Sequence, residues 1–362
     1  MPPVRGSWML SWGGRPGQGV DFASHTAKAF LDFLFVRKRA GLLFFVDVHS
    51  AFYTAVRPLL YQCDGDDDAL ALLILSLGIH ADFIDPFLQT LRAANAMSGA
   101  GASKHLEQLI GTLFANSWWV LKGRHTPTMP QRGFMPGTAV ADLAFSLVYR
   151  LFLGAMHARL VHTGFVCTLT PPDNPLFPAL GSVDSLQESN VSWVDDSVML
   201  LTVGRAADVI PAAKVAGGII FQELFRTGFA PNVKQGKMQI LPVFLSPGHS
   251  QAVHDCYFGG DAVVDVKVTD KINLAVAVNF SYKHLGSLKD AKRSASNEIG
   301  VRKGEASSAL KQLAIALKHT QLPPDRVWLF MQSLCVSKLV YDVHTFSRLT
   351  VAQWRSLESC YN

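Results

Sequence analysis

Apolar residues along this chain follow two periods. GLLFFVDV, residues 41 to 48, is apolar at consecutive rather than alternate positions, the pattern of a strand covered on both faces, and it ends at Asp47. VSWVDDSVMLL, residues 191 to 201, sets two short apolar runs around adjacent carboxylates and reads as a tight hairpin with Asp195 and Asp196 at its tip. MQILPVFL predicts another strand, and SWWVLKG, residues 117 to 123, one more. Helical spacing takes over elsewhere. Residues 13 to 25, GGRPGQGVDFASH, form a glycine-rich loop leading into a helix marked by Phe30, Phe33 and Leu34. Leu106, Leu109, Ile110 and Leu113 mark a second helix, and the QRGFMPG turn feeds a long third one. PPDNPLFP, residues 171 to 178, is a loop, and residues 206 to 226 are helical. From residue 291 onward strand alternation is absent. Leu310, Leu313, Ala314 and Leu317, then Val327, Phe330, Met331 and Leu334, predict a separate helical unit.

Composition narrows the class. The 362 residues are 49% hydrophobic and 10% aromatic, enough for a packed core in one large domain or two ordinary ones. The longest apolar runs, from Ala69 and from Ala139, are too short or too interrupted by charge to predict a membrane span. MPPVRGSWML does not read as a secretory signal, and the five cysteines form no CxxC pair, which argues against structural zinc or a disulfide framework. The expectation is an intracellular protein, nuclear or cytoplasmic, with no membrane partner. Net charge is +5, unevenly placed. Lys283, Lys289, Lys292, Arg293, Arg302, Lys303, Lys311 and Lys318 face only Asp290, Glu298 and Glu305 in that stretch, either as a solvated helical face or as a surface for phosphates.

The carboxylates raise a chemical question. Aspartate is an ordinary turn residue, so the hairpin pair alone has a structural explanation. Asp47 is different, because a carboxylate closing a buried strand needs compensation by hydrogen bonds or a cation. If the Asp47 strand lies beside the hairpin in one sheet, three carboxylates converge and their repulsion calls for divalent metal. Magnesium suits such hard oxygen ligands, and two ions about 4 Å apart are the usual device for in-line phosphoryl transfer.

The order of these segments resembles the palm of a reverse transcriptase, most similar to those of non-LTR retrotransposons. DVHSAFY, from Asp47, resembles the first catalytic motif, and RGFMPG, Arg132 to Gly137, the template- and nucleotide-positioning turn. WVDD, from Trp193, resembles the Y/F-x-D-D hairpin, NVKQGK the following Asn-and-Lys segment, and YKHLG the hairpin that grips the primer. GGRPGQGVDFASH resembles the glycine-rich segment before the first motif. The match spans roughly residues 13 to 350, and its weight comes from motif order, each motif being weak alone. The resemblance implies an α+β palm with an antiparallel sheet flanked by helices over residues 41–290, a helical thumb over 291–362, and residues 1–40 as a remnant of largely missing fingers. It implies that Asp47 and Asp195 hold two Mg²⁺ ions, with Mn²⁺ as a substitute, that Asp196 supports them, and that Lys237 serves the departing pyrophosphate. Phe52 would sit under the nucleotide sugar, its alternative role being plain core packing, and Arg132, Gly133 and Gly137 would border the substrate. The implied partners are an RNA template, a DNA primer and dNTPs, with other segments of a longer retroelement protein.

Departures from the pattern are specific. Trp193 stands where Tyr or Phe is usual, Thr138 and Ala139 replace a small or acidic residue followed by Pro, and Met238 replaces a frequent Thr. Neither an endonuclease segment nor a Cys/His knuckle is expected. The rival reading is a catalytically inactive fragment that binds RNA or an RNA/DNA duplex through the basic tail; a metal-dependent nuclease is a third.

Overall fold

The structure is a computed structural model that describes residues 10–11, 19–61, 74, 79–93, 95–115, 117–118, 120, 123, 126–127, 132–134, 139–169, 186–234, 236–257, 262–292, 294–318, 320–341 and 349–359. It is an α+β fold in which helices cover both faces of a mixed sheet. The strands are β1 (Leu10–Ser11), β2 (Ala40–Val46), β3 (Cys167–Leu169), β4 (Leu186–Glu188), β5 (Asn190–Trp193), β6 (Asp196–Val203), β7 (Gln239–Val243), β8 (Val263–Lys267), β9 (Asn273–Val278), β10 (Ser281–His284) and β11 (Ser287–Asp290). The main sheet has the order β1-β5-β6-β2-β7-β9-β8, while β3 with β4 and β10 with β11 form two-stranded ribbons.

Strand β2 lies in the middle, antiparallel to β6 on one side and to β7 on the other. All seven of its residues are buried, which explains the unbroken apolar run. Leu42, Phe44 and Val46 face one layer, where Phe145, Phe152 and Ile220 pack; Leu43 and Phe45 face the other, against Leu31 and Leu34. The first layer is built by helices Ala139–Thr163 and Val209–Arg226, the second by helix Val20–Arg37. The wholly antiparallel sheet expected from sequence needs correction. Strands β1 and β5, and β7 and β9, pair in parallel. The second pairing is possible because helix His249–Tyr257 and strand β8 intervene between β7 and β9, giving the chain the length to cross over.

Other expectations shift locally. The first helix begins at Val20, inside the segment read as loop, because Ala23, Ser24 and Ala27 already pack on the sheet. SWWVLKG makes no strand at its described residues Ser117, Trp118, Val120 and Gly123; it follows the end of helix Lys104–Ala115, where Ser117 turns its amide back to the Phe114 carbonyl. In that helix the leucine stripe is real but Leu106, Leu109 and Leu113 are exposed, while Glu107 and Phe114 turn inward and Glu107 accepts a bond from the Asn95 amide. PPDNPLFP lies outside the described residues. Helix Ala139–Thr163 is long and apolar enough to cross a bilayer by length and composition, contrary to the sequence reading; its Phe145, Tyr149, Phe152 and Met156 are buried in the protein core.

The tail contains helix Ala295–Leu317, then Pro324–Phe330 running through a π-helical turn, Met331–Val336, into Ser337–Val340, and finally Val351–Glu358. Its apolar contacts form small clusters, Ile299 with Leu339 and Leu357, and Ala309 with Leu313 and Cys335. Phe330 and Leu334 are exposed.

Close strand approach fixes one position in β2. A β-carbon on Gly41 would lie 2.5 Å from the Leu201 carbonyl oxygen and 3.0 Å from both Leu34 methyls. Gly41→Ala is expected to lower stability by roughly 2 kcal/mol, seen as an earlier urea midpoint with an unchanged slope.

Candidate active site

Asp47 is the first residue beyond β2. Val46 pairs with Ser197 and Trp193 with Asp196, so extending the register by one step sets Asp47 across from Asp196. The two-residue connection of the hairpin is Val194–Asp195, and Asp196 opens β6. Three aspartates, one of them about 150 positions from the other two in the chain, are thus brought to one end of the central strands. Their proximity is electrostatic as well as topological: burial raises the pKa of both Asp195 and Asp196, and the charge of Asp47 raises both further.

The hairpin turn is strained. Val194 has φ = +57°, a left-handed conformation that a β-branched residue rarely adopts and that a turn built for stability would give to Gly or Asn. Its side chain packs against the large core. From below, the buried Tyr149 donates to the Asp195 carbonyl at 3.3 Å, with Ser197 Oγ 3.0 Å from the same hydroxyl. Burial holds Tyr149 protonated far above its usual range, which keeps it a donor. The ring of Tyr149 stacks on Phe145 and Phe145 on Phe52, with centroids 5.4 and 4.5 Å apart, so an aromatic column links the hairpin to the segment after Asp47.

A cation already serves this acidic cluster. Lys237 Nζ lies 3.1 Å from Asp47 Oδ2, with side chains 54% and 17% exposed respectively, and this bond raises the lysine pKa. Its segment is stitched to Asp47 by backbone: the Asn232 amide donates to the Asp47 carbonyl at 3.0 Å, and Tyr282 on β10 donates to the Lys237 carbonyl at 2.7 Å. Asn232 Oδ1 is buried beside them with no hydrogen-bond partner among the described residues. Oxygen donors of this kind fit a hard divalent cation such as Mg²⁺. Among the described residues, no three His, Cys, Asp or Glu side chains stand as a ready-made ion cage, and Lys237 balances Asp47.

The Arg132–Phe134 turn docks on the segment after Asp47. The Gly133 amide donates to the Ala55 carbonyl at 2.8 Å and the Phe134 amide to the Phe52 carbonyl at 2.7 Å. Gly133 has φ = +84° and a β-carbon there would sit 2.6 Å from the Tyr53 carbonyl, so both conformation and space demand glycine. Phe52 is half-buried, with one face on Phe145, and Arg132 is exposed. Gly137 lies outside the described residues.

Part of the basic stretch of the tail is turned to internal use. Lys289 is buried and bonded to Ser24, Lys283 pairs with Glu305, and Arg302 is buried between Glu298 and Glu305 while it stacks on Tyr341. Arg302 also donates to the Gly286 carbonyl and Tyr341 to that of Leu285, so the tail clamps the β10–β11 turn. Lys311 and Lys318 are exposed, whereas Arg293 lies outside the described residues.

Sequence reasoning passed over Tyr149, Asn232 and Tyr282 as individuals. Asn232 and Tyr282 open the NVKQGK and YKHLG segments, and Tyr149 belongs to the aromatic series Phe145, Tyr149, Phe152 in one helix. The chain matches no protein-family model and no curated protein.

Burial and repulsion act on Asp196 as well as on Asp195. The Asp196 carboxyl is pushed up to about 6, first by desolvation and then by Asp195 and Asp47, although the residue reaches solvent. A raised carboxylate pKa favours the folded state at low pH and loses that contribution as pH rises from the unfolded value, about 3.9, through 6. Asp196→Asn is therefore expected to flatten the fall in stability across that window and to stabilise the protein at pH 7 by about 1 kcal/mol after solvent screening, measured by urea titration at several pH values.

Proposed function

We propose that this chain carries out template-directed nucleotidyl transfer, in the manner of the palm of a reverse transcriptase followed by a helical thumb. The observation that carries this reading is the meeting of Asp47 with Asp195 and Asp196 at the end of a central strand whose register is set by a two-sided core, with Lys237 on the same carboxylate. An acidic cluster of that kind, on rigid strands, suits phosphoryl chemistry better than it suits stability.

Each residue has a task in this reading. Asp47 and Asp195 are the ligands for divalent metal, and Asp196 adds negative charge beside them. When bound, Mg²⁺ supplies charge neutralisation at the transferring phosphate and lowers the pKa of the attacking hydroxyl. Tyr149 fixes the Asp195 carbonyl and hence the hairpin turn. Lys237, half exposed on a turn, brings an ammonium to the side of the site where a leaving pyrophosphate gathers charge. Phe52 presents its open side to the nucleotide sugar, and Gly133, whose lack of a β-carbon lets the turn pack on the Tyr53 backbone, holds that turn beside it. An RNA template and a DNA primer would lie along the β10–β11 turn and the tail, where Lys311 and Lys318 are exposed for phosphate contact.

The test is primer extension on an RNA template by the purified chain, with Mg²⁺, with Mn²⁺ and with a chelator. Metal-dependent incorporation by the parent, lost in Asp195→Ala, is the expected outcome; equal extension by parent and variant rejects the assignment. Salt-sensitive duplex binding without synthesis would select a binding-only protein, and degradation of unprimed substrate a nuclease.

A further inference from the structure

Arg57 is 7% exposed, ten residues beyond Asp47, at the junction of three segments. Its Nε donates to the Gly133 carbonyl at 2.7 Å. Its Nη1 donates to the Phe114 carbonyl and to Ser117 Oγ, each at 2.8 Å, and the guanidinium lies 5.2 Å from the centroid of the Phe114 ring. One planar group thus joins its own segment to the end of helix Lys104–Ala115 and to the Arg132–Phe134 turn. The turn answers with its own amides, Gly133 to Ala55 and Phe134 to Phe52.

A buried cation is an expensive way to fill a junction, since apolar side chains of like volume hold such places at lower cost. Arginine is preferred where several donors must point in fixed directions from one plane. Here the fork reaches oxygens on two other segments at once, and the one it holds most directly is Gly133, whose neighbouring amide grips the Phe52 backbone. Desolvation lowers the Arg57 pKa from its usual value, the expected mark of a guanidinium withdrawn from water.

We infer that Arg57 is a positioning residue that locks the Arg132–Phe134 turn to the Phe52 segment and so sets the shape of the pocket wall that meets the nucleotide sugar. This rests on the nucleotidyl-transfer reading for the ligand, but the lock itself is a property of the chain alone. Lysine at 57 keeps the charge and loses the fork.

Two measurements on the full chain test it. By hydrogen exchange, Arg57→Lys is expected to speed exchange of the Gly133 and Phe134 amides by about tenfold while the amides of β2 and β6 keep their protection. Unchanged protection at 133 and 134, or an equal loss throughout β2 and β6, overturns the inference. In primer extension, Arg57→Lys is expected to raise KM for dNTP about tenfold, to leave kcat within about twofold, and to lower discrimination against ribonucleotides. A lower kcat with unchanged KM and sugar selectivity also overturns it. Ser117→Ala, which removes one acceptor without touching the arginine, is expected to act in the same direction by a smaller factor, and decides the matter if Arg57→Lys does not fold. A parent protein that incorporates no nucleotide overturns the functional reading and the sugar-selectivity part with it, while the exchange result still decides whether Arg57 holds the turn.

Discussion

Strand β2 has no solvent face. Leucine and phenylalanine point alternately into two separate cores, so a slip of one residue against β6 would exchange the contents of both layers at once. The register of Val46 on Ser197 is therefore held by packing along the whole strand and owes little to the groups at its end. Asp47 is carried to Asp196 as a by-product of that fit. Rigid placement of like charges follows, and burial plus repulsion then lifts the Asp196 pKa because the carboxylates are not free to move apart.

What surrounds the cluster works to keep it there. Tyr149 reaches the hairpin from the long core helix, Tyr282 reaches the Lys237 backbone from the β10–β11 ribbon, and the Arg302–Tyr341 clamp ties that ribbon's turn to the tail. Each of these bonds joins an aromatic or planar group, packed on one side, to a backbone carbonyl on the other. Carbonyls define where a turn sits, whereas side chains define only what it carries. The tail is in this way connected to Lys237, and through it to Asp47, by contacts made at successive elements rather than by one long-range interaction.

Legibility in the sequence followed the range of the interaction. GLLFFVDV could be read because burial on both faces leaves an unbroken apolar run, and the Asp195–Asp196 hairpin because its turn is local. The bonds that complete the site span 46 residues from Tyr149 to Asp195, 45 from Lys237 to Tyr282 and 76 from Arg57 to Gly133, and no local pattern encodes them. Misreadings have the same origin. SWWVLKG has the residue types of a strand but its described residues have no strand partner, and the basic stretch, read as a solvated face or a phosphate surface, counted Lys289 and Arg302 although tertiary contacts bury both.

Backbone strain and charge repulsion coincide at the β5–β6 hairpin. Val194 takes a backbone conformation that costs a non-glycine residue on the order of 1–2 kcal/mol, in the very turn that also carries Asp195 beside Asp196. Stability alone would remove both features with a single Gly or Asn and one neutral residue. Packing of the Val194 side chain on the core offsets part of the first cost and Lys237 part of the second, but the compensation differs in kind. The valine is locked, whereas the lysine is 54% exposed and sits on a turn, so its ammonium can leave Asp47 without disturbing any strand. A rigid acidic cluster with a removable positive charge leaves the local balance of charge open to change without moving a strand, which is the property that the proposed nucleotidyl transfer would draw on.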